Sequence, residues 1–330
     1  MHKALSVSIV VPVYNAESVL WSCLSSMIHQ DYPFREIIII DNHSTDNSMM
    51  IVKRFKERHM NINIRIVRRK KSFGVSSSYN LGAKLASGDY IVTLHSDSLL
   101  PSSKELRNLI GPFIGDTSVI ATGPLLIHPK KIWLKYNFWQ KCLLATAVGT
   151  EISSGNGKFD CYKKTIFQNQ GGFDEKRFTH AIGTEDADLH LRIAKIGRIV
   201  TTNARVIHNH PPEPKYSLQN WIARRKFLAV SYGRHIQLHF KELKSALIFF
   251  LFKPILVIIS LLTPFSPIFI VPIFLFPFLY MPKMFIEPST LKDPRILLLP
   301  FIIIFLVYYE TFWELKSLFF MREYGYNKGL

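Results

Sequence analysis

Val7-Ser8-Ile9-Val10-Val11-Pro12-Val13 is a run of β-branched and apolar residues that stops at Tyr14-Asn15. It is too short for an ordinary helix and lacks the polar alternation of a half-exposed strand, so it reads as a strand buried on both faces of a largely parallel sheet. Outward from it, residues 16–29 read as a helix, and a second apolar run at 37–40 ends at Asp41. Asn42-His43-Ser44-Thr45-Asp46 and a helical stretch through about Arg58 follow, and a third run at 62–67 precedes Arg68-Arg69-Lys70-Lys71. A helix around 76–86 and a fourth strand at 90–94 complete a strand–helix alternation, which implies right-handed crossovers and an open, mostly parallel α/β sheet flanked by helices.

In such a sheet, ligands bind beyond the carboxyl ends of the strands, where loops and helix N-termini gather. Tyr14-Asn15, the turn from Asp41 to Asp46, and His95-Ser96-Asp97 all fall at such ends and define one candidate site.

Lys and Arg number 41 against 24 Asp and Glu, a net charge of +17 that points to anionic partners. No zinc-finger spacing, heptad-linked basic region or RNA-binding sheet signature accompanies that charge, so no nucleic-acid partner is expected. Cys23, Cys142 and Cys161 are isolated from one another, which fits a reducing setting rather than a disulfide framework. The first residues enter the strand without an apolar stretch of secretory length, so export of this part is not expected.

Composition changes near residue 240. Residues 1–240 read as one α/β domain and 241–330 as a membrane-anchoring region with two to three hydrophobic helices. Between 245 and 281 the only charge is Lys253, and this run divides into two helices turning near 264–267; a third apolar run occupies 296–309. The alternative, buried core helices, would need a second amphipathic layer, and none is apparent in the sequence. Arg224, Arg225, Lys226, Arg234, Lys241 and Lys244 precede the first segment, the turn carries no basic residue, and Lys283, Lys292 and Arg295 follow the second. That asymmetry puts the N-terminal α/β domain on the cytoplasmic side of a cell membrane. Membrane lipids are then expected partners; Arg224, Arg225 and Lys226 suit anionic headgroups or a lipid-linked phosphate, and equally a solvated basic face.

The run at 7–15, the turn at 41–46, Asn80-Leu81-Gly82 with the segment 86–92, Gly171-Gly172-Phe173-Asp174-Glu175 and Thr184-Glu185-Asp186 together resemble family 2 glycosyltransferases in order and spacing, over residues 7 to about 210. The resemblance implies a nucleotide-sugar-binding fold of the GT-A type and inverting transfer from a nucleotide-sugar donor. A lipid-linked or other membrane-borne acceptor follows from the apolar segments. It also implies a nucleotide-sugar site drawn from Pro12, Tyr14, Asn15, Asp41, Asp46, Asn80, His95, Ser96 and Asp97. Ser44, Thr45 and Asp46 equally suit a helix cap.

Family members carry an Asp-x-Asp triad after the fourth strand; here His95 stands in the first position and Asp97 keeps the last. By the resemblance Asp97 holds Mg²⁺ or Mn²⁺, joined by His208 at a later strand end. Asp186, with Glu185 beside it, corresponds to the catalytic base that activates the acceptor hydroxyl. A carboxylate at a helix start is also an ordinary charge–dipole device. The loop at 153–164, with Asn156, resembles the acceptor-side loop. The Gln-x-x-Arg-Trp string of processive synthases is absent, Gln219-x-Trp221 with Arg224 being a loose echo. His95 and the Asp41-Asn42-His43 turn leave open a catalytically silent relative acting as a scaffold or binding subunit.

Overall fold

The computed structural model describes residues 4–153, 157–178, 184–242 and 247–320. By packing, the described chain divides into two units, one of residues 4–129 with 149–211 and one of 130–148 with 212–320.

The first unit is built on one sheet of β1 (Val7–Val13), β2 (Glu36–Asp41), β3 (Ile64–Arg68), β4 (Tyr90–Thr93), β5 (Ser98–Leu99), β6 (Val119–Ile127), β7 (Glu151–Ile152), β8 (Cys161–Lys163) and β9 (Arg198–His208). Their order is β3-β2-β1-β4-β8-β6-β9-β5, with β7 attached to β6. β1 lies at the centre of the parallel part. Val7, Ile9, Val11 and Val13 pack on Leu20, Leu24, Met27, Val52 and Phe55 from the helices Leu20–Ile28 and Ser48–Arg58. Val10 faces the other way, with Ile38, Ile40, and Tyr79 and Ala83 of the helix Gly74–Leu85. At ~1.5–3 kcal/mol for each fully buried aliphatic side chain, both faces hold the strand in place.

The expected mostly parallel sheet holds for β3-β2-β1-β4 and is corrected beyond it. β8 runs antiparallel to β4 and β6, β9 parallel to β6, and β5 antiparallel to β9, so the whole sheet is mixed. β5 and β7 have two residues and β8 three, too few for an apolar period to mark them.

The second unit corrects the reading of the C-terminal third. Among the described residues no helix is long and apolar enough to cross a membrane. Leu247–Leu261 has 15 residues and Val271–Tyr280 has 10. At the α-helical rise these reach about 22 and 15 Å, short of the roughly 20 residues a span needs. Leu299–Phe320 has 22 residues but carries Glu310, Glu314 and Lys316. The packing layer not apparent in the sequence comes from earlier in the chain: Trp133, Tyr136, Phe138 and Cys142 share a core with Trp221, Leu256, Ile273, Phe276, Ile303 and Leu306.

The helix Leu218–His239, placed by composition with residues 1–240, belongs by packing to this unit. A Cβ on Gly233 would lie 2.3 Å from the Glu314 carbonyl oxygen, so glycine permits the close approach of this helix to Leu299–Phe320. The lone charge in the apolar run, Lys253, reaches Glu310 Oε2 at 2.6 Å and Glu314 Oε1 at 2.9 Å. Arg225 turns inward to the same Glu310 rather than toward a headgroup surface, and Lys244 lies outside the described residues.

Candidate active site

Two groups of side chains gather at the carboxyl edge of the parallel strands. The first joins the loops after β1 and β2. Thr45 N donates to Asn15 Oδ1 at 2.9 Å and Asn15 N to Ser44 Oγ at 3.2 Å. Asn15 and His43 adopt positive φ, 47° and 72°, a conformation uncommon outside glycine that marks both loops as tightly determined. Pro12 is buried within β1 and Tyr14 is exposed beyond it.

Buried Asp41 accepts from Ser44 N at 2.9 Å through Oδ1 and faces Arg68 Nε at 3.1 Å through Oδ2. Asp46 spends one oxygen on Glu17 N and the other on Ser48 N, each at 3.0 Å. Burial opposes its charge, yet the Ser48 and Glu17 hydrogen bonds hold its carboxyl below the usual range. Asp46 thus ties the β1 loop to the start of the helix Ser48–Arg58. Asn80 is likewise engaged: its amide exchanges hydrogen bonds with Phe173 N and O at 2.9 and 2.8 Å and donates to Glu175. A Cβ on Gly172, which has φ +65°, would stand 2.3 Å from Asn80 Oδ1, so this glycine admits the clamp.

The second group is assembled by strand register. The pairing of β4 with β8 continues past the strand ends, and His95 N donates to Lys158 O at 3.1 Å. β5 pairs Ser98 with His208, and Asn209 N donates to Asp97 O. β6 and β9 pair Ile127 with Ile207, which sets His128 beside His208. Asp97 Oδ2 is then 2.9 Å from His208 Nε2, and His208 Nδ1 is 2.8 Å from His128 Nε2. Lys158 Nζ lies 3.2 Å from His95 Nδ1 and 3.4 Å from both Asp97 Oδ1 and His208 Nε2. Ser96 lies between, half-buried.

Charges in this group are strongly ordered. Burial, then Lys158, pushes the His95 imidazole down to about 3 and that of His208 down to about 4; burial and His208 push His128 down to about 3. Burial works against the Asp97 carboxylate, but Lys158 and His208 hold it well below its ordinary range. With neutral rings and an acceptor-only carboxylate, His208 donates through Nε2 to Asp97 and accepts at Nδ1 from His128.

Gly157 and Lys158 link this group to Asp186. A Cβ on Gly157 would meet Asp186 Oδ2 at 3.6 Å, and Tyr79 Oη donates to Gly157 O at 3.2 Å. Asp186 is buried in the first turn of the helix Glu185–Ile193. Burial, then the charges of Glu185 and Asp160, raises its carboxyl well above the ordinary range. Tyr79 is also buried, and Asp160, Asp97 and Glu185 around it hold its proton on.

His95, Asp97 and His208 therefore converge, with Asp186 and Glu185 reached through Gly157, while Asp46 and Asn80 are engaged in loop structure. Asn156 lies outside the described residues. Sequence reasoning missed Lys158 and His128. The apolar stretch of β6 ending at His128 has the form of the runs that end at Asp41 and His208, which is a usable signal; nothing local marks Lys158, whose place depends on antiparallel pairing across 63 residues.

Residues 8–169, just under half of the chain, match the family model described as Glycosyl transferase family 2. Poly(ribitol-phosphate) beta-glucosyltransferase of Bacillus spizizenii is 37% identical over 31% of this chain and 16% of its own length. Dolichyl N-acetyl-alpha-D-glucosaminyl phosphate 3-beta-D-2,3-diacetamido-2,3-dideoxy-beta-D-glucuronosyltransferase of Methanococcus voltae is 26% identical over 62% of this chain and 66% of its own length. The chain thus spans less than two thirds of either relative. Mannosyltransferase PcManGT from Pyrobaculum calidifontis, solved in complex with GDP-Man and Mn²⁺, shares the fold with a TM-score of 0.59 at 19% identity, over 96% of this chain and 88% of that one.

Proposed function

We propose that the chain is an inverting glycosyltransferase that moves one sugar from a nucleotide-sugar donor to a membrane-borne, lipid-linked acceptor. The observation that carries the reading is the meeting of Asp97, His208 and Lys158 at the carboxyl edge of the parallel strands, with buried Asp186 against the same loop. The donor lies over the ends of β1, β2 and β4, its nucleotide beside Asp41 and its diphosphate toward Asp97. Asp186 takes the proton of the acceptor hydroxyl as that oxygen bonds the anomeric carbon; the bond from that carbon to the diphosphate oxygen breaks, and its electron pair leaves with the nucleoside diphosphate.

One carboxylate and one imidazole suit Mg²⁺ or Mn²⁺ ions that take most of their ligands from substrate phosphates and water. Asp97 and His208 would hold such an ion once His208 takes its other tautomer, with Nε2 free of its proton and Nδ1–H donating to His128 Nε2. When bound, it supplies positive charge against the departing diphosphate. Among the described residues, no group of three or more His, Cys, Asp or Glu side chains is arranged to hold a metal by itself.

Release of nucleoside diphosphate from a panel of sugar nucleotides, with a polyprenyl-phosphate acceptor mixture and Mn²⁺ or Mg²⁺, tests this reading. Turnover by the parent protein that Asp97→Ala lowers by at least about tenfold is the expected result. Absence of turnover with every donor, despite retained nucleotide binding, would instead support the silent scaffold or binding subunit.

The second unit leaves Phe265, Ile268, Leu279, Leu297, Leu298 and Phe301 exposed. Large exposed apolar side chains in a strongly basic chain support residence in the headgroup region of an anionic membrane, with the transfer site on the cytoplasmic face. Flotation with phosphatidylglycerol-containing vesicles should carry the protein upward, and Leu298→Glu with Phe301→Glu should leave it at the bottom of the gradient. Equal flotation of parent and variant would refute this attachment.

A further inference from the structure

We propose that the Lys158 ammonium is a built-in cation for the donor diphosphate, one that competes with a divalent ion for the space between Asp97 and His208. The inference rests on the transferase reading and names a positioning residue for the same site. Lys158 Nζ stands 3.4 Å from Asp97 Oδ1 and 3.4 Å from His208 Nε2, the two side chains suited to hold the ion, and 3.2 Å from His95 Nδ1.

An acid where His95 stands would add a second negative charge facing that space, and His95 adds none. A divalent ion entering between Asp97 and His208 therefore meets a like charge at close range and must displace it.

The placement is enforced by the fold. His95 N donates to Lys158 O, Ser98 Oγ donates to the same carbonyl, Gly157 N donates to Asp160 Oδ2, and Tyr79 Oη holds Gly157 O. The stem of Lys158 therefore leaves the backbone at the rim of the group, and phosphates bound between Asp97 and His208 would meet its ammonium. The chemistry it recognises is a nucleoside diphosphate. Its positive charge is present without metal, so metal is an enhancer of binding rather than a condition for it.

Titration calorimetry of the full chain with UDP and with GDP, in EDTA and in Mn²⁺, distinguishes the possibilities when paired with the electron paramagnetic resonance signal of free Mn²⁺. The parent protein should bind one of the two nucleotides in EDTA. Lys158→Ala should weaken that binding by about tenfold to a hundredfold, the loss of one charge-assisted contact, and Lys158→Arg should restore most of it. In the absence of nucleotide, Lys158→Ala should bind Mn²⁺ more tightly than the parent. Nucleotide binding by the parent only with Mn²⁺, with Mn²⁺ affinity unchanged in Lys158→Ala, would overturn the proposal while leaving the transferase reading in place. No binding of either nucleotide under any condition would overturn both. A thermal midpoint for Lys158→Ala within a few degrees of the parent's confirms that the variant is folded.

Discussion

Asp186→Asn is expected to lower sugar transfer by about 10²–10⁴-fold, the range of a lost general base, and at the same time to raise the thermal midpoint of the protein. Both effects have one origin. Burial, with Glu185 and Asp160 nearby, raises the Asp186 carboxyl well above its ordinary range, so the charged form that takes the proton is also the form the folded protein tolerates least. A group whose folded pKa is raised favours folding while it is protonated, and that contribution is lost as pH rises through the folded pKa. The neutral amide avoids the loss, so the gain in midpoint should grow between acidic and alkaline buffers.

As the proposed base, Asp186 must be ionised to work, and its raised pKa moves the acidic limb of kcat/KM upward in pH. Glu185→Gln removes the nearer like charge and should move that limb toward lower pH, as an apparent value belonging to the coupled pair. Rate profiles with superimposable acidic limbs in parent and Glu185→Gln would show that Asp186 does not set the limb. Transfer retained in Asp186→Asn would remove it as the base.

The second large effect is on stability. Glu310→Ala should destabilise the second unit by about 3–5 kcal/mol, the cost of leaving a buried cation without its partner. Glu310 accepts from Arg225 Nη2 at 2.9 Å and from Lys253 Nζ at 2.6 Å, and Arg225 also donates to Tyr280 Oη at 2.7 Å. Without Glu310, Lys253 keeps Glu314, but the Arg225 guanidinium, with 15% of its side chain exposed, loses its carboxylate. Replacing Arg225 and Glu310 together by Met and Leu should cost much less, because a buried ion pair exchanged for packed apolar groups is often near neutral. Denaturant unfolding followed through tryptophan fluorescence separates the outcomes, and equal midpoints for Glu310→Ala and the parent would mean the cluster carries no stability.

Much of the candidate site was legible in the sequence, and the reason is local. Each parallel strand at β1, β2 and β4 is a short apolar run buried on both faces, and each ends in polar residues that must lie at one edge of the sheet. That rule points to Asp41, His95 and Asp97, and resemblance to a family motif points to Glu185 and Asp186. Asp46 shows its limit: a carboxylate in a strand-end turn looks the same in sequence whether it meets a nucleotide or two backbone amides, and here it meets the amides.

The apolar C-terminal third shows another limit. A 37-residue run with one charge resembles a pair of membrane spans, because hydropathy sees Lys253 without Glu310 and Glu314, more than 55 residues away in the chain. It also could not see that 130–148 would return to supply a packing layer.

What the sequence determined by itself is the set of buried strands and the residue types at their ends, since both follow from which side chains water rejects along a few consecutive positions. The tertiary structure decided which of those ends meet. Antiparallel register past β4 and β8 brings Lys158 to His95 and Asp97, and register between β6 and β9 brings His128 to His208. Register is a property of pairs of strands distant in the chain, fixed by packing on both faces of the sheet, and no local run of residues encodes it.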